Sequence, residues 1–287
     1  MVSSFSWYTG TMIKDLKLVV CDIDDTLVVR HNLLTPRAKG MIKTLKEKNI
    51  YFGLASGRPL YDLDHMMEKW HIEPADMLIG MNGSSLRDAV HQKEYTYYLM
   101  KPEWIKETIE IMKQFHANPI IYEDDTIVCV KRDTTVISSA LSGHRSIHKV
   151  DDIAYLYQKE NAKIMFRIKA NQMEEVESYF QAHPSPNYIG FKTQPTLFEF
   201  TNIHTDKGYA LRQYCEINGL SPEQVMAFGD TSNDNGMLEY SGLGVCLKNG
   251  SEDTKAIADV VTDRPCTMDG WADFMEKYFD RRQQDGE

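Results

Sequence analysis

Leu16-Lys17-Leu18-Val19-Val20-Cys21 runs straight into Asp22-Ile23-Asp24-Asp25-Thr26. A short apolar run with β-branched content reads as a buried strand, and this one ends in three carboxylates. Unpaired carboxylates are costly to bury, so a strand that delivers them at its carboxyl end needs a cation or solvent to receive them. In open α/β sheets that edge is where ligands bind. Asp22 and Asp24 are two residues apart and would share a face within a strand. Where the chain leaves the strand, one can offer its side chain and the other its backbone carbonyl, an oxygen-rich arrangement suited to Mg²⁺. Taken alone, the same stretch also reads as an acidic loop capping the next element.

Three further segments decide between these readings. Ile50-Tyr51-Phe52-Gly53-Leu54-Ala55 reads as a second strand and ends in Ser56-Gly57-Arg58. Asp206-Lys207-Gly208 opens a helical pattern that runs from Tyr209 to Ile217. Val225-Met226-Ala227-Phe228 is another strand, ending in Gly229-Asp230-Thr231-Ser232-Asn233-Asp234. Each segment alone is a turn or a helix start. In order they give strand-acid, strand-hydroxyl, helix-lysine, strand-acid. That order resembles the four-motif signature of the haloacid dehalogenase superfamily of phosphotransferases, and within it the Cof-type phosphatases with a type IIB cap.

The resemblance is strongest from Asp206 to Trp271. There Lys-Gly-x-Ala-Leu, Gly-Asp-x-x-Asn-Asp-x-x-Met-Leu, Gly-Leu-Gly-Val and Ala-Asp-x-Val-Thr follow in the family's order and spacing. The middle of the chain matches only as a block of suitable length. Two positions depart from the family's usual pattern. Asp206 stands where a small hydroxyl is common, and suits a helix N-cap. Asn235-Gly236 stands where an apolar residue and proline are common, and is expected to loosen a helix start.

The alternation of strands and helices predicts an α/β fold: a parallel-sheet, Rossmann-like core with helices on both faces, plus an inserted α+β cap. Thr35-Pro36 marks the start of the first helix, and Met77-Leu78-Ile79-Gly80 a third strand ending at Asn82-Gly83. After Asn233 the alternation resumes with strands at 242–247 and 260–262 and a last helix at 268–279. Between Ser84 and Ile189 the texture changes. Half-exposed strands are expected at 94–100 and 126–131, a further strand at 162–168, and helices at 104–115 and 172–180. Two strand-rich halves with one helix each predict a sheet with its helices on one face. The core is therefore expected at 1–84 and 190–287, with the cap at 85–189 hinging near Asn82-Gly83 and Tyr188-Ile189-Gly190.

Phosphoryl transfer needs a nucleophile in line with the leaving oxygen and positive charge over the equatorial oxygens. Asp22, the first acid off its strand, is the candidate nucleophile. Asp24 would supply its carbonyl to Mg²⁺ and its carboxyl as acid and base, and Asp230 would be the third metal ligand. Ser56, Gly57, Lys207 and Asn233 are the candidate phosphate donors, with Lys207 also balancing the nucleophile's charge. Thr26, Arg58 and Asp234 are supporting candidates: Asp234 to hold Lys207 or a metal-bound water, Arg58 to contact substrate or to pair on the surface. The resemblance implies the same assignments.

These residues favour a Mg²⁺-dependent phosphatase of small phosphorylated metabolites, sugar phosphates or similar monoesters, acting through an aspartyl-phosphate. A phosphomutase uses the same chemistry, and an inactive phosphate-binding protein would keep the same cradle. A receiver domain also uses a phospho-aspartate, but is less than half this length and carries that residue on a middle strand.

Bulk composition is compatible. The chain has 287 residues, 42% hydrophobic and 26% charged, which is ordinary for a globular protein. A net charge of −10 offers no basic field for nucleic acid or anionic membranes. Five scattered cysteines without a Cys-x-x-Cys pair argue against a disulfide framework and for a reducing, cytoplasmic setting. Met1 to Asp15 does not read as a signal peptide, and Trp7 and Tyr8 are expected to form a short arm on the core. The histidines, among them His65, His71, His91, His116 and His204, show no metal-ligand spacing.

Overall fold

The structure is a computed structural model that describes residues 12–28 and 33–284. The arm expected at Trp7 and Tyr8 lies outside the described residues. The chain divides into two compact units, 1–95 with 206–287, and 96–205.

The first unit begins with β1 (Leu18–Asp22), α1 (Pro36–Glu47), β2 (Tyr51–Ala55), α2 (Leu60–Trp70), β3 (Met77–Gly80), β4 (Ser85–Asp88) and β5 (Lys93–Thr96). The second unit holds α3 (Pro102–Met112), β6 (Asn118–Glu123), β7 (Thr126–Cys129), α4 (Thr134–Ser142), β8 (Ser146–Lys149), β9 (Lys163–Arg167), α5 (Met173–Ala182), β10 (Tyr188–Gln194) and β11 (Leu197–Asn202). The chain returns to the first unit with α6 (Lys207–Asn218), β12 (Val225–Gly229), α7 (Asn235–Tyr240), β13 (Leu243–Cys246), α8 (Glu252–Ile257), β14 (Val260–Val261) and α9 (Gly270–Gln284).

Local chemistry sets the helix ends. Thr35 caps α1 by accepting a hydrogen bond from the Ala38 N–H at 3.1 Å, with Pro36 at the first helical position. Ala38, Met41, Ile42 and Leu45 then form the buried stripe at helical spacing. Asp206 caps α6 through the Tyr209 N–H at 2.8 Å, and Gly219, left-handed at φ +64°, ends it.

The first unit's sheet runs β14-β13-β12-β1-β2-β3-β4-β5. The six strands from β14 to β3 are parallel, and β4 joins β3 antiparallel. Helices cover both faces. On one, α1, α2 and α9 bury their apolar residues with Val19, Cys21, Phe52, Leu54 and Phe228. On the other, α6 and α7 pack together and against β3, β4, β12 and β13. From β1 the chain winds outward to β2 and β3, and later from β12 to β13 and β14 on the other side. Strand order thus reverses between β1 and β12, where an open α/β sheet forms its ligand crevice.

The second unit is a six-stranded sheet, β10-β11-β9-β6-β7-β8, antiparallel except for the β7–β8 pair. Its larger core places α3 and α5 against Ile121, Val128, Ile164, Phe166, Phe198 and Phe200. The alternate residues Ile120, Ile127, Cys129, Met165 and Leu197 face the opposite way and meet Val136 and Ala140 of α4. Helices therefore cover both faces of this sheet, where one was expected.

The division also falls later than the expected junctions. Residues 85–96 extend the first sheet as β4 and β5, because Ser85 to Asp88 pairs along β3. Residues 188–202 form a hairpin whose second strand pairs with β9. Ile189 and Gly190, expected as a hinge, lie inside β10, where Gly190 pairs with Phe200. Among the described residues, no helix is long and apolar enough to cross a membrane.

Candidate active site

β1, β2 and β12 end side by side. Asp22 pairs in register with Ala55, and Cys21 with Phe228. Asp22, Ser56 and Asp230 therefore leave three neighbouring strands at nearly one level. Carboxylate oxygens of Asp22, Asp230 and Asp234 converge within 4.8 Å of one another, and all three residues are buried.

Three buried acids repel, and the fold answers with one lysine. Lys207, 0% exposed at the start of α6, donates from Nζ to Asp22 Oδ1 at 2.6 Å and to Asp234 Oδ1 at 2.7 Å. Burial works against its charge, but Asp22 and Asp234 hold its pKa above the ordinary lysine value. Asp22 is shifted the other way. Burial raises its pKa most, Lys207 pulls it down, and Asp234 and Asp230 push it up, leaving it well above the carboxylate range. Asp234 Oδ2 accepts from the Asp230 and Thr231 N–H groups at 2.9 and 3.1 Å. With Lys207 on its other oxygen, Asp234 is committed to positioning Lys207 and the turn after β12.

Asp230 is held by Thr26, whose Oγ1 donates to Asp230 Oδ1 at 2.7 Å. Burial, with Asp234 and Asp25 adding to it, still raises Asp230 to about 6. Asp25 sits at φ +63° in the loop after β1, and Asn249 donates to its carbonyl at 2.8 Å. Ser56 is buried, and its Oγ accepts from the Arg58 N–H at 3.2 Å, which leaves the hydroxyl proton to donate.

The pattern of the haloacid dehalogenase-like hydrolases matches residues 19–275. The chain belongs to that family. Among its relatives, a 5-amino-6-(5-phospho-D-ribitylamino)uracil phosphatase of Bacillus subtilis is 22% identical over 265 residues, 91% of this chain and 97% of the relative. A phosphoglycolate phosphatase of Methanoculleus marisnigri is 23% identical over 269 residues, 92% of this chain and 97% of the relative. The crystal structure of a haloacid dehalogenase-like hydrolase from Bacteroides thetaiotaomicron superposes with a TM-score of 0.80 at 24% identity, covering 91% of this chain and 99% of that one.

Against the hydrolase pattern, four placements could not be read in advance. Asp24 turns its carboxylate onto Arg58, Nε to Oδ2 at 3.0 Å and Nη2 to Oδ1 at 2.8 Å. Asn233 donates from Nδ2 to Asn82 Oδ1 at 3.1 Å, bringing in a residue that the sequence marks only as a strand-ending Asn-Gly turn. The two departures from the family pattern also touch each other. A Cβ at Gly236 would lie 2.7 Å from Asp206 Oδ2, so the glycine makes room for the carboxylate that caps α6. Asn249, which fixes the Asp25 carbonyl from the loop after β13, carried no local signal at all.

Proposed function

We propose that the chain is a Mg²⁺-dependent phosphatase that hydrolyses small phosphorylated metabolites, sugar phosphates or similar monoesters, through an aspartyl-phosphate on Asp22. The Asp22–Lys207 contact carries this reading: a buried carboxylate at the switch point of a parallel sheet, held 2.6 Å from a buried ammonium. The relatives named as phosphatases of phosphoglycolate and of a phosphorylated ribitylaminouracil support it.

Lys207 occupies Asp22 Oδ1, so Oδ2 is the attacking oxygen. It adds to phosphorus in line with the ester oxygen. The bond from phosphorus to the leaving oxygen breaks, and the Asp24 carboxyl gives its proton to that oxygen. Asp24 then takes a proton from water, whose oxygen attacks phosphorus. The bond to Asp22 breaks, its carboxylate is restored, and inorganic phosphate leaves. Lys207 and the Ser56 hydroxyl supply positive charge and a hydrogen bond to the phosphoryl oxygens.

The donor set fits a hard cation. The Asp22 and Asp230 carboxylates and the Asp24 carbonyl offer only oxygen, as Mg²⁺ prefers, whereas Asp234 already accepts three N–H donors. Bound there, Mg²⁺ would relieve the repulsion between carboxylate and phosphate and orient them. Residues 96–205, packed around their own core, are the proposed lid and type IIB cap that selects the leaving group. Five free, buried cysteines support a reducing compartment such as the cytoplasm.

The test is phosphate release from a panel of phosphorylated metabolites with Mg²⁺, with excess chelator, and with Asp22→Asn. Release that needs Mg²⁺ and Asp22 is expected. No release from any ester overturns the reading, and full turnover in excess chelator overturns its metal.

A further inference from the structure

The turn that closes β3 is unusual. Met81, Asn82 and Gly83 have φ of +52°, +57° and +109° in succession. Two of the three carry a Cβ, and left-handed backbone is unfavourable for such residues unless the surroundings hold it. The surroundings here are the loop that presents Ser56. The Met81 N–H donates to the Arg58 carbonyl at 2.9 Å, and the Asn82 N–H to the Ser56 carbonyl at 3.0 Å.

This backbone lock lays the Asn82 side chain over Gly57. A Cβ on Gly57 would sit 3.0 Å from Asn82 Oδ1 and 3.4 Å from its Nδ2. Asn82 Oδ1 accepts from Asn233 Nδ2 at 3.1 Å, while Asn233 Oδ1 accepts from Thr231 Oγ1 at 2.8 Å. The Asn233 amide, which the sequence offered as a phosphate donor, is thus engaged at both ends. Among the described residues, nothing accepts a hydrogen bond from Asn82 Nδ2, and Asn82 is only partly buried.

We propose that Asn82 Nδ2 donates to the phosphoryl oxygens of the bound phosphate, next to the Ser56 hydroxyl, and that Asn233 is a positioning residue that aims it. The Thr231–Asn233–Asn82 chain fixes the amide so that its oxygen points to Asn233 and its N–H groups are left for the ligand. This inference rests on the phosphate-ester reading above.

Asn82→Gly keeps the left-handed turn, because glycine adopts positive φ freely, and removes only the amide. Asn82→Asp keeps the acceptor for Asn233 but replaces the donor with a negative charge. Two quantities are measured with Mg²⁺ present: the dissociation constant for inorganic phosphate by titration calorimetry, and KM and kcat with p-nitrophenyl phosphate. Asn82→Gly should weaken phosphate binding and raise KM about tenfold or more, the effect of losing a hydrogen bond to a charged group, with its thermal midpoint near that of the wild type. Asn82→Asp should bind phosphate more weakly still. Asn233→Ala should lose less than Asn82→Gly.

Wild-type phosphate affinity in Asn82→Gly would reduce Asn82 to a turn residue and overturn the proposal. Wild-type protein that binds phosphate but releases none from any ester sinks the hydrolase reading alone, and the affinity comparison still decides Asn82. Wild-type protein that binds no phosphate at millimolar concentration overturns the cradle and Asn82 with it.

Discussion

Arg58 holds Asp24 with both arms of its guanidinium, Nε on Oδ2 at 3.0 Å and Nη2 on Oδ1 at 2.8 Å. Burial works against the Arg58 charge, yet the Asp24 carboxylate keeps its pKa above the ordinary value. A carboxylate bound at both oxygens is well placed to wait and badly placed to protonate a leaving group. In the proposed acid role Asp24 would have to exchange one arm of Arg58 for the leaving oxygen during turnover. The pair is half-exposed, 34% for Arg58 and 49% for Asp24, and exposed pairs contribute about 0–1 kcal/mol, so the exchange is inexpensive.

A double-mutant cycle reads this relationship. Asp24→Ala should lower kcat/KM by roughly a hundredfold or more on an alkyl phosphate, and by much less on p-nitrophenyl phosphate, whose leaving group needs little protonation. Arg58→Ala should alter kcat/KM in the wild-type background and have no further effect in Asp24→Ala. Independent losses in the two backgrounds would place Arg58 on the substrate instead.

Asp22→Asn separates function from stability. Loss of a covalent nucleophile should lower turnover roughly a thousandfold or more. Burial raises the Asp22 pKa despite Lys207, so in the metal-free protein at neutral pH its charge is a net burden. The variant should unfold at a higher urea concentration than the wild type in chelator. A lower midpoint would mean that the Lys207 contact outweighs the burial.

The pH dependence of metal binding follows from Asp230, whose pKa lies at about 6 against the ordinary 3.8. The folded state holds that proton more tightly than the unfolded chain. Asp230's contribution to metal-free stability is therefore complete below the ordinary value and is lost as pH rises through about 6. In the proposed metal site Mg²⁺ would bind the ionised carboxylate and restore what is lost. The Mg²⁺-induced rise in thermal midpoint should be small near pH 4 and grow as pH passes about 6, where Asp230 ionises, with the raised Asp22 carboxyl adding to the same trend. A rise of equal size across that range would remove Asp230 from the metal set.

The first unit was legible because its signals are local. A buried parallel strand must be apolar along its length, so the carboxylates that end β1 and β12 stand out, and the hydroxyl after β2 follows the same logic. Lys207 was legible from the helix start at Asp206. The second unit was less so. β10 is mostly exposed, and β11 carries Glu199, which is buried with Lys163 of β9 donating to it at 2.8 Å and Thr193 at 3.0 Å. Neither residue announces its partner 36 positions away, so the hairpin read as a junction. Arg58–Asp24 and Asn82–Asn233 stayed hidden for the same reason: residue types can be read in order, but which side chains meet across loops follows from the fold.

The contact between Asp206 and Gly236 belongs to that hidden class and gives the last prediction. Taken separately, an acid before Lys207 and a glycine early in α7 both look like weaknesses. Together they fit, since the carboxylate that accepts the Tyr209 N–H fills the space a Cβ at residue 236 would occupy. Gly236→Ala should force the Asp206 carboxylate aside and cost about 1–3 kcal/mol, as overpacking of a tight site does. Asp206→Ala removes the Cγ and both oxygens that a Cβ at residue 236 would meet, and with them the cap, at a cost of about 0.5–2 kcal/mol. In the double variant the truncated side chain leaves room for the alanine methyl at 236, whose helix propensity exceeds that of glycine by about 1 kcal/mol. Urea unfolding of the double variant should therefore show a stability close to that of Asp206→Ala alone, well above the sum of the two single losses. If the two losses simply add, the residues are independent, and Asp206 does not set the space at Gly236.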